Sequence, residues 1–285
     1  MKLIKIITIS VIIIGIILSI FYFTFELILI ENQEEKLNNN EHEMIELSGS
    51  LFTILVNPDD LAIVNGKTIP LKASFALKNE LEQVYKQIKV SHDEKSLVII
   101  PTFTASAYAK NGFYDFFNKN CDDQCLTVEI LSKEKLDYSS SANSVKILQL
   151  LGYDSITDLE LHKNPDILNG YDKIIILHNE YVSKIMFDAI TSHNNVIFLY
   201  PNSLYGEVKV DNINNEITLI RGHGYPSLDI TNGFNWENEN TQPYEFDNKC
   251  ENWEFYPISN GHMLNCFPEN IIWKNELLLK TIKDL

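Results

Sequence analysis

The sequence predicts an α/β domain whose core is a mostly parallel sheet, and three observations carry that prediction. Short runs of apolar, largely β-branched residues at 97–100, 174–177 and 196–199 read as strands buried on both faces. Segments with helical spacing alternate with them between residues 97 and 199, which is the rhythm of strand–helix units. Each run stops abruptly at polar or aromatic residues, and open parallel sheets bind ligands just outside the carboxyl ends of their strands.

At the amino terminus, Lys2 and Lys5 precede an uncharged run of 20 residues, Ile6–Phe25, about enough to cross a bilayer core of roughly 30 Å. With Glu26, Glu31, Glu34 and Glu35 on the far side, the positive-inside rule places the amino terminus in the cytoplasm. Residues 1–30 are expected to be a single-pass signal anchor in the cell membrane, 31–47 a flexible polar spacer, and 48–285 an extracytoplasmic domain.

Within that domain, 51–56 and 61–64 read as strands around the turn Asn57-Pro58-Asp59-Asp60, and Asn65-Gly66 turns the chain toward Thr68-Ile69. Together they predict a small meander beside the main sheet. Phe75, Leu77, Leu81, Val84, Tyr85 and Ile88 form an apolar stripe that predicts a helix over 75–88. The strand at 97–100 leads into a helical segment holding Tyr108, then a cysteine loop and a strand at 126–131. Ser139, Ser140 and Ser141 supply caps for a helix near 142–151, closed by Gly152. Residues 156–161 read as a strand and 164–168 as a short helix; the strand 174–177 and a helix from Ser183 to about Ser192 follow. Beyond 205 the texture becomes hairpins, at 207–220 and around Asn260-Gly261, linked by the glycine-bearing loop 221–226. A helix over 271–282 closes the chain.

A net charge of −16 disfavours nucleic acid and anionic lipid surfaces as partners, since such a domain repels phosphates. Arg221 is the only arginine and a candidate planar donor at a site. Cys121, Cys125, Cys250 and Cys266 are an even number in an exported domain, which favours disulfides. Three pairings are open to them; Cys121–Cys125 with Cys250–Cys266 is the expected one. Zinc binding is the competing use, and the spacing fits no common finger.

Three strand ends bring chemistry to one edge: Thr102, Thr104 and Tyr108; His178 and Glu180; and Tyr200, Asn202 and Tyr205. His178 and Glu180 are the candidate catalytic pair. The structural alternative is that Glu180 complements the positive end of the next helix and His178 is a satisfied polar residue.

These segments resemble a known family. Pro101-Thr102-Phe103-Thr104-Ala105-Ser106-Ala107-Tyr108 is similar to the PTxTxxAY motif of N,N-dimethylformamidase large-subunit-like carboxyl-terminal domains. Leu177-His178-Asn179-Glu180-Tyr181 resembles that family's GHxEYW segment, and the stretch from Tyr200 to Val208 its N-x-x-Y-W-x-V segment. Asp158-Leu159-Glu160-Leu161-His162 and the following Pro165 resemble D-x-D-L-H. The likeness covers roughly residues 97–221; Val182 and Gly206 stand where the family has tryptophans, and Leu177 where it has a small residue.

The resemblance implies a doubly wound sheet like that of class I glutamine amidotransferases, a flavodoxin-like arrangement, and an amide hydrolase with mononuclear iron. The iron would be held by two tyrosines and a glutamate. Carried over by motif, Glu180 is the carboxylate ligand, His178 the neighbouring histidine and Tyr108 the first tyrosine; Tyr138 is the positional candidate for the second. The turn at 178–180 has no cysteine, so glutaminase chemistry is not expected. Phenolate and carboxylate oxygens suit a hard ion, which polarises an amide carbonyl and activates water, while His178 moves protons near neutral pH. The leading expectation is a membrane-anchored hydrolase of small amides. The alternative is a non-catalytic binding or scaffold domain of a membrane or cell-envelope complex, and a third is glycan binding by exposed Trp236 and Trp253.

Overall fold

A computed structural model describes residues 44–47, 49–64, 67–236 and 246–285. The expected anchor at 1–30 lies outside the described residues; among those described, no helix is long and apolar enough to cross a membrane. In chain order the strands and helices are β1 (Ile45–Leu47), β2 (Phe52–Val56), β3 (Leu61–Val64), β4 (Lys67–Pro70), β5 (Ser74–Leu77), α1 (Glu82–Ile88), β6 (Ser96–Ile100), α2 (Thr102–Tyr108) and α3 (Phe113–Phe117). There follow β7 (Thr127–Glu129), α4 (Ala142–Leu150), β8 (Asp154–Thr157), α5 (Asp158–Lys163), β9 (Lys173–Ile176), β10 (Tyr181–Val182), α6 (Lys184–Ser192) and β11 (Val196–Phe198). The chain ends with β12 (Gly206–Asp211), β13 (Glu216–Arg221), β14 (Phe255–Ile258), β15 (Gly261–Leu264) and α7 (Glu276–Asp284).

The main sheet has six strands in the order β14-β15-β11-β9-β6-β8. All neighbours are parallel except β14, which is antiparallel to β15. Numbered by appearance, the parallel strands run second, first, third, fourth, fifth. The direction of winding therefore reverses between β6 and β9, and such a switch point opens a crevice at the strand ends. Both faces are covered. Val98, Ile100, Ile175, Leu177 and Ile197 pack against Tyr85 and Ile88 of α1, Ile147 and Leu148 of α4, and Leu278 and Ile282 of α7. Leu97, Ile99, Ile174, Ile176 and Phe198 pack against Phe103 of α2, Leu161 of α5, and Met186 and Ile190 of α6. Each such buried side chain contributes about 1.5–3 kcal/mol relative to an exposed one, and this double burial explains the continuous apolar runs.

Several elements differ from expectation. The helix expected over 75–88 begins only at Glu82, because Ser74–Leu77 pairs with β2 as β5; Phe75 and Leu77 also fit a period of two. The strand expected over 156–161 ends at Thr157. Thr157 and Glu160 exchange side-chain-to-backbone hydrogen bonds, a capping box that starts α5. The meander divides into two: β3 and β4 pair with each other, while β2 joins β1 and β5 in a separate sheet. Because β1 pairs with β2, Ile45–Leu47 is a strand rather than the end of a spacer. The closing helix begins at Glu276 rather than 271. The hairpin β12–β13 forms as expected, and β7 and β10 flank it in a four-stranded sheet. Cys121–Cys125 and Cys250–Cys266 are the disulfides.

Candidate functional site

The site is built at the switch point. β6 ends at Ile100 and β9 at Ile176, side by side in parallel register, so α2 and the turn 177–180 emerge together. Asp158 joins them. Its fully buried carboxylate accepts hydrogen bonds from the Phe103 amide at 2.8 Å and from Asn179 Nδ2 at 2.6 Å. Burial pushes its pKa up to about 7, against the pull of those hydrogen bonds. Thr104 Oγ1 accepts the Glu180 amide hydrogen at 3.0 Å, and the Glu180 carbonyl accepts from Tyr205 and Gly206 at 2.8 Å each. The turn is thus fixed from four directions, and Glu180 is held fully buried.

The Glu180 carboxylate meets two histidines and a pair of tyrosines. Tyr114 donates to Oε1 at 3.0 Å, and Tyr108 donates to Tyr114 at 2.7 Å. His223 Nε2 makes a short contact with the same Oε1. His178 Nε2 lies 3.5 Å from Oε2. Burial alone would raise the Glu180 pKa; the His223 charge and hydrogen bond, with His178 beyond, hold it below the usual carboxylate range. Burial raises the Tyr108 and Tyr114 hydroxyls well above the ordinary phenol value, and the Glu180 charge adds to the effect.

His178 is fixed by its surroundings. Its amide donates to Ser141 Oγ at 3.1 Å, Nδ1 contacts the Ser139 carbonyl, and the ring stacks on Tyr200 at 5.5 Å. A carbonyl only accepts, so Nδ1 carries the ring proton and Nε2 presents its lone pair toward Glu180. Burial pushes the imidazole pKa down, which keeps the ring neutral. Tyr200 in turn donates to the fully buried Glu269 at 2.6 Å. Glu269 also accepts from the Asn143 amide at 2.5 Å and the Ser144 hydroxyl at 2.5 Å, at the start of α4.

A cavity of about 440 Å3 opens onto this constellation, lined by Tyr108, Tyr114, Tyr138, Ser139, His178, Asn202, His223, Phe246, Asn248 and Phe267. Of the residues singled out by sequence, Tyr108, Tyr138, His178 and Asn202 share its wall. Tyr138 packs on Phe267, and its buried hydroxyl has no hydrogen-bond partner among the described residues. Thr102 is buried at the first position of α2, and Tyr205 packs edge-on against the His223 ring at 4.5 Å. Arg221 serves its own loop: it donates to the Gly233 carbonyl at 3.2 Å and Asn235 Oδ1 at 2.8 Å, and is not among the cavity lining. Trp236 is half-buried against Phe187 and Phe198, and Trp253 against Phe255, so neither forms an exposed platform. Sequence reasoning missed Tyr114 and His223. The only signal for His223 was its position between two glycines.

The residues fit an ion. His178 Nε2 and Glu180 Oε2 are buried, and neither has a hydrogen-bond partner among the described residues. Glu180 Oε2 can ligate an ion, and the His178 Nε2 lone pair 3.5 Å away stands beside it to take a proton. Among the described residues, no three His, Cys, Asp or Glu side chains stand ready-made as a metal cage, so a full donor set includes tyrosine oxygens or closes further around Glu180. Compared with protein-family models and with curated protein sequences, the chain matches none.

Proposed function

We infer that the chain is a metal-dependent hydrolase of amide C–N bonds, working outside the cytoplasm on the end of an amino-terminal membrane anchor. The observation that carries this reading is the buried pair His178 Nε2 and Glu180 Oε2, neither hydrogen-bonded among the described residues, behind a cavity that His178 lines. The motif resemblance supplies the reaction class and the doubly wound, amidotransferase-like ancestry. The two disulfides favour an oxidising compartment. Tyr108, Tyr138 and Glu180 are the ligands the resemblance assigns to mononuclear iron, with Tyr114 hydrogen-bonded to both Tyr108 and Glu180.

Such an ion, when bound, polarises the amide carbonyl and lowers the pKa of attacking water. His178 takes up a proton at Nε2 and returns it to the leaving amine, its ring held by Ser139 and Tyr200. Asn202, on the same wall, orients the amide. Phe246 and Phe267 give the cavity an apolar side. A second reading, a non-catalytic binding domain of a membrane complex, is favoured by the two hydrogen bonds that Glu180 Oε1 already accepts. Metal content separates the two. Near-stoichiometric metal in the purified protein, lost in Glu180→Ala, supports the hydrolase and directs a screen of small amides. No metal in either protein, with both equally folded, overturns it.

A further inference from the structure

We propose that the amide taken by this site carries hydrogen on its nitrogen, a primary or secondary carboxamide rather than an N,N-dialkyl one, and that Asn202 is the residue that selects it. The proposal rests on the reading of the site as an amide hydrolase and names its substrate class.

Asn202 is 6 % exposed and His178 2 %, and both line the cavity of about 440 Å3. Neither Asn202 Oδ1 nor His178 Nε2 has a hydrogen-bond partner among the described residues. The two side chains are neighbours. Burial lowers the His178 pKa, and Asn202 is among the groups that pull against it, as an acceptor oxygen beside the ring does. Nδ1 of His178 faces the Ser139 carbonyl, so Nε2 is an acceptor as well. Glu180 Oε2, 3.5 Å behind Nε2, is a third. The wall thus gathers acceptors that no donor meets among the described residues.

The backbone holds Asn202 in that place. Its turn follows β11 and is tied to the turn that carries His178 and Glu180. Ser203 Oγ donates to the Leu177 carbonyl at 2.8 Å. The Leu204 amide donates to the Asn179 carbonyl at 2.8 Å, and the Tyr205 and Gly206 amides to the Glu180 carbonyl at 2.8 Å each. Leu204 has a φ of +57°, in the left-handed region that a bulky residue rarely adopts and that persists where the surrounding structure imposes it. Asn202 is therefore placed by bonds between two backbone turns, the kind of support that keeps a binding group in one geometry.

A buried acceptor without a donor is costly, and a substrate N–H removes that cost where an N-alkyl group does not. A site built to hydrogen-bond an N–H for this reason rejects the analogue that lacks it. An N–H given to Asn202 Oδ1 also sets the amide nitrogen beside His178 Nε2, the atom that returns a proton to the leaving amine. Among the described residues, neither lysine nor arginine lines the cavity, and Phe246 and Phe267 supply its apolar side, so the acyl part it takes is uncharged and apolar.

The test uses the full chain as purified and a graded series of probes, benzamide, N-methylbenzamide and N,N-dimethylbenzamide, with dissociation constants read by ligand-observed NMR. Wild type is compared with Asn202→Leu, which keeps the approximate shape of the side chain, and with Asn202→Ala; thermal unfolding identifies the variant that keeps the fold. The expected result is that both N–H amides bind wild type at least about 10-fold more tightly than the dimethyl amide, a gap that shrinks to less than about 3-fold in the variant. Equal affinity for the whole series in wild type, or a preference that survives without Asn202, overturns the proposal and leaves the hydrolase reading standing. Absence of binding of every probe to wild type overturns the hydrolase reading and the proposal together.

Discussion

His178 Nε2 and Glu180 Oε2 face each other across 3.5 Å, both buried and neither hydrogen-bonded among the described residues, because the other nitrogen of His178 is engaged by the Ser139 carbonyl. This fixes a tautomer. Long-range 15N–1H NMR of the metal-free protein is expected to show His178 neutral at neutral pH with its proton on Nδ1, and titrating below the ordinary imidazole value. Burial holds its pKa down, so His178 costs stability only as pH falls below the unfolded value of about 6.5. A titration centred at that ordinary value, or a proton on Nε2, would refute the arrangement.

Tyr114 connects Tyr108 to the buried carboxylate. Tyr114→Phe removes one hydrogen bond to a charged acceptor and leaves the Tyr108 hydroxyl without its acceptor. The expected loss is about 1.5–3 kcal/mol in urea denaturation, with the slope of the transition unchanged. Stability equal to wild type would mean that the relay does not form in solution.

Asp158 gives the protein an inverse pH dependence. Burial raises its pKa to about 7 in the folded chain from an ordinary value of 3.8. In that window the folded chain keeps a proton that the unfolded chain has lost, so this contribution is present below about pH 4 and disappears as pH rises through 7. On acidification from pH 7 to 5, wild type is expected to gain about 2 kcal/mol relative to Asp158→Asn, at roughly 1.4 kcal/mol per pH unit before partial titration is allowed for. Glu269, also raised by burial to about 7, remains in both proteins and cancels. Parallel stability profiles for the two proteins would show that Asp158 is not held protonated.

Gly261 admits β15 to the main sheet. A Cβ there would lie 1.8 Å from the Val196 carbonyl oxygen of β11, an overlap only backbone displacement relieves. Gly261→Ala is expected to cost more than about 4 kcal/mol, seen as a collapse of soluble yield or of Tm. Gly170→Ala, where a Cβ meets nothing within 4 Å, is the control. Similar Tm values for the two variants would contradict the parallel pairing of β11 with β15.

Much of the site was legible because it depends on local pattern. The apolar runs of β6, β9 and β11 announce strands buried on both faces, and the residues just after each run fall at one edge of any parallel sheet. Thr104, Tyr108, His178, Glu180 and Asn202 are candidates on that ground. The segments 75–88 and 156–161 were misread where two periods fit the same few apolar residues. In the first, pairing of β5 with β2 overrode the helical stripe; in the second, the Thr157–Glu160 capping box was present in the sequence and outweighed the strand pattern.

By itself, then, the sequence determined the parallel-sheet core, the edge that carries the candidate residues and the conditions for its disulfides, since burial and turn chemistry act over a few neighbouring residues. The tertiary structure alone decided the strand order, the winding reversal between β6 and β9 and the partners of Glu180. His223 reaches that carboxylate from 43 positions along the chain and Tyr114 from 66. Contacts at such separations follow from how the layers pack, a property no local run of residues encodes.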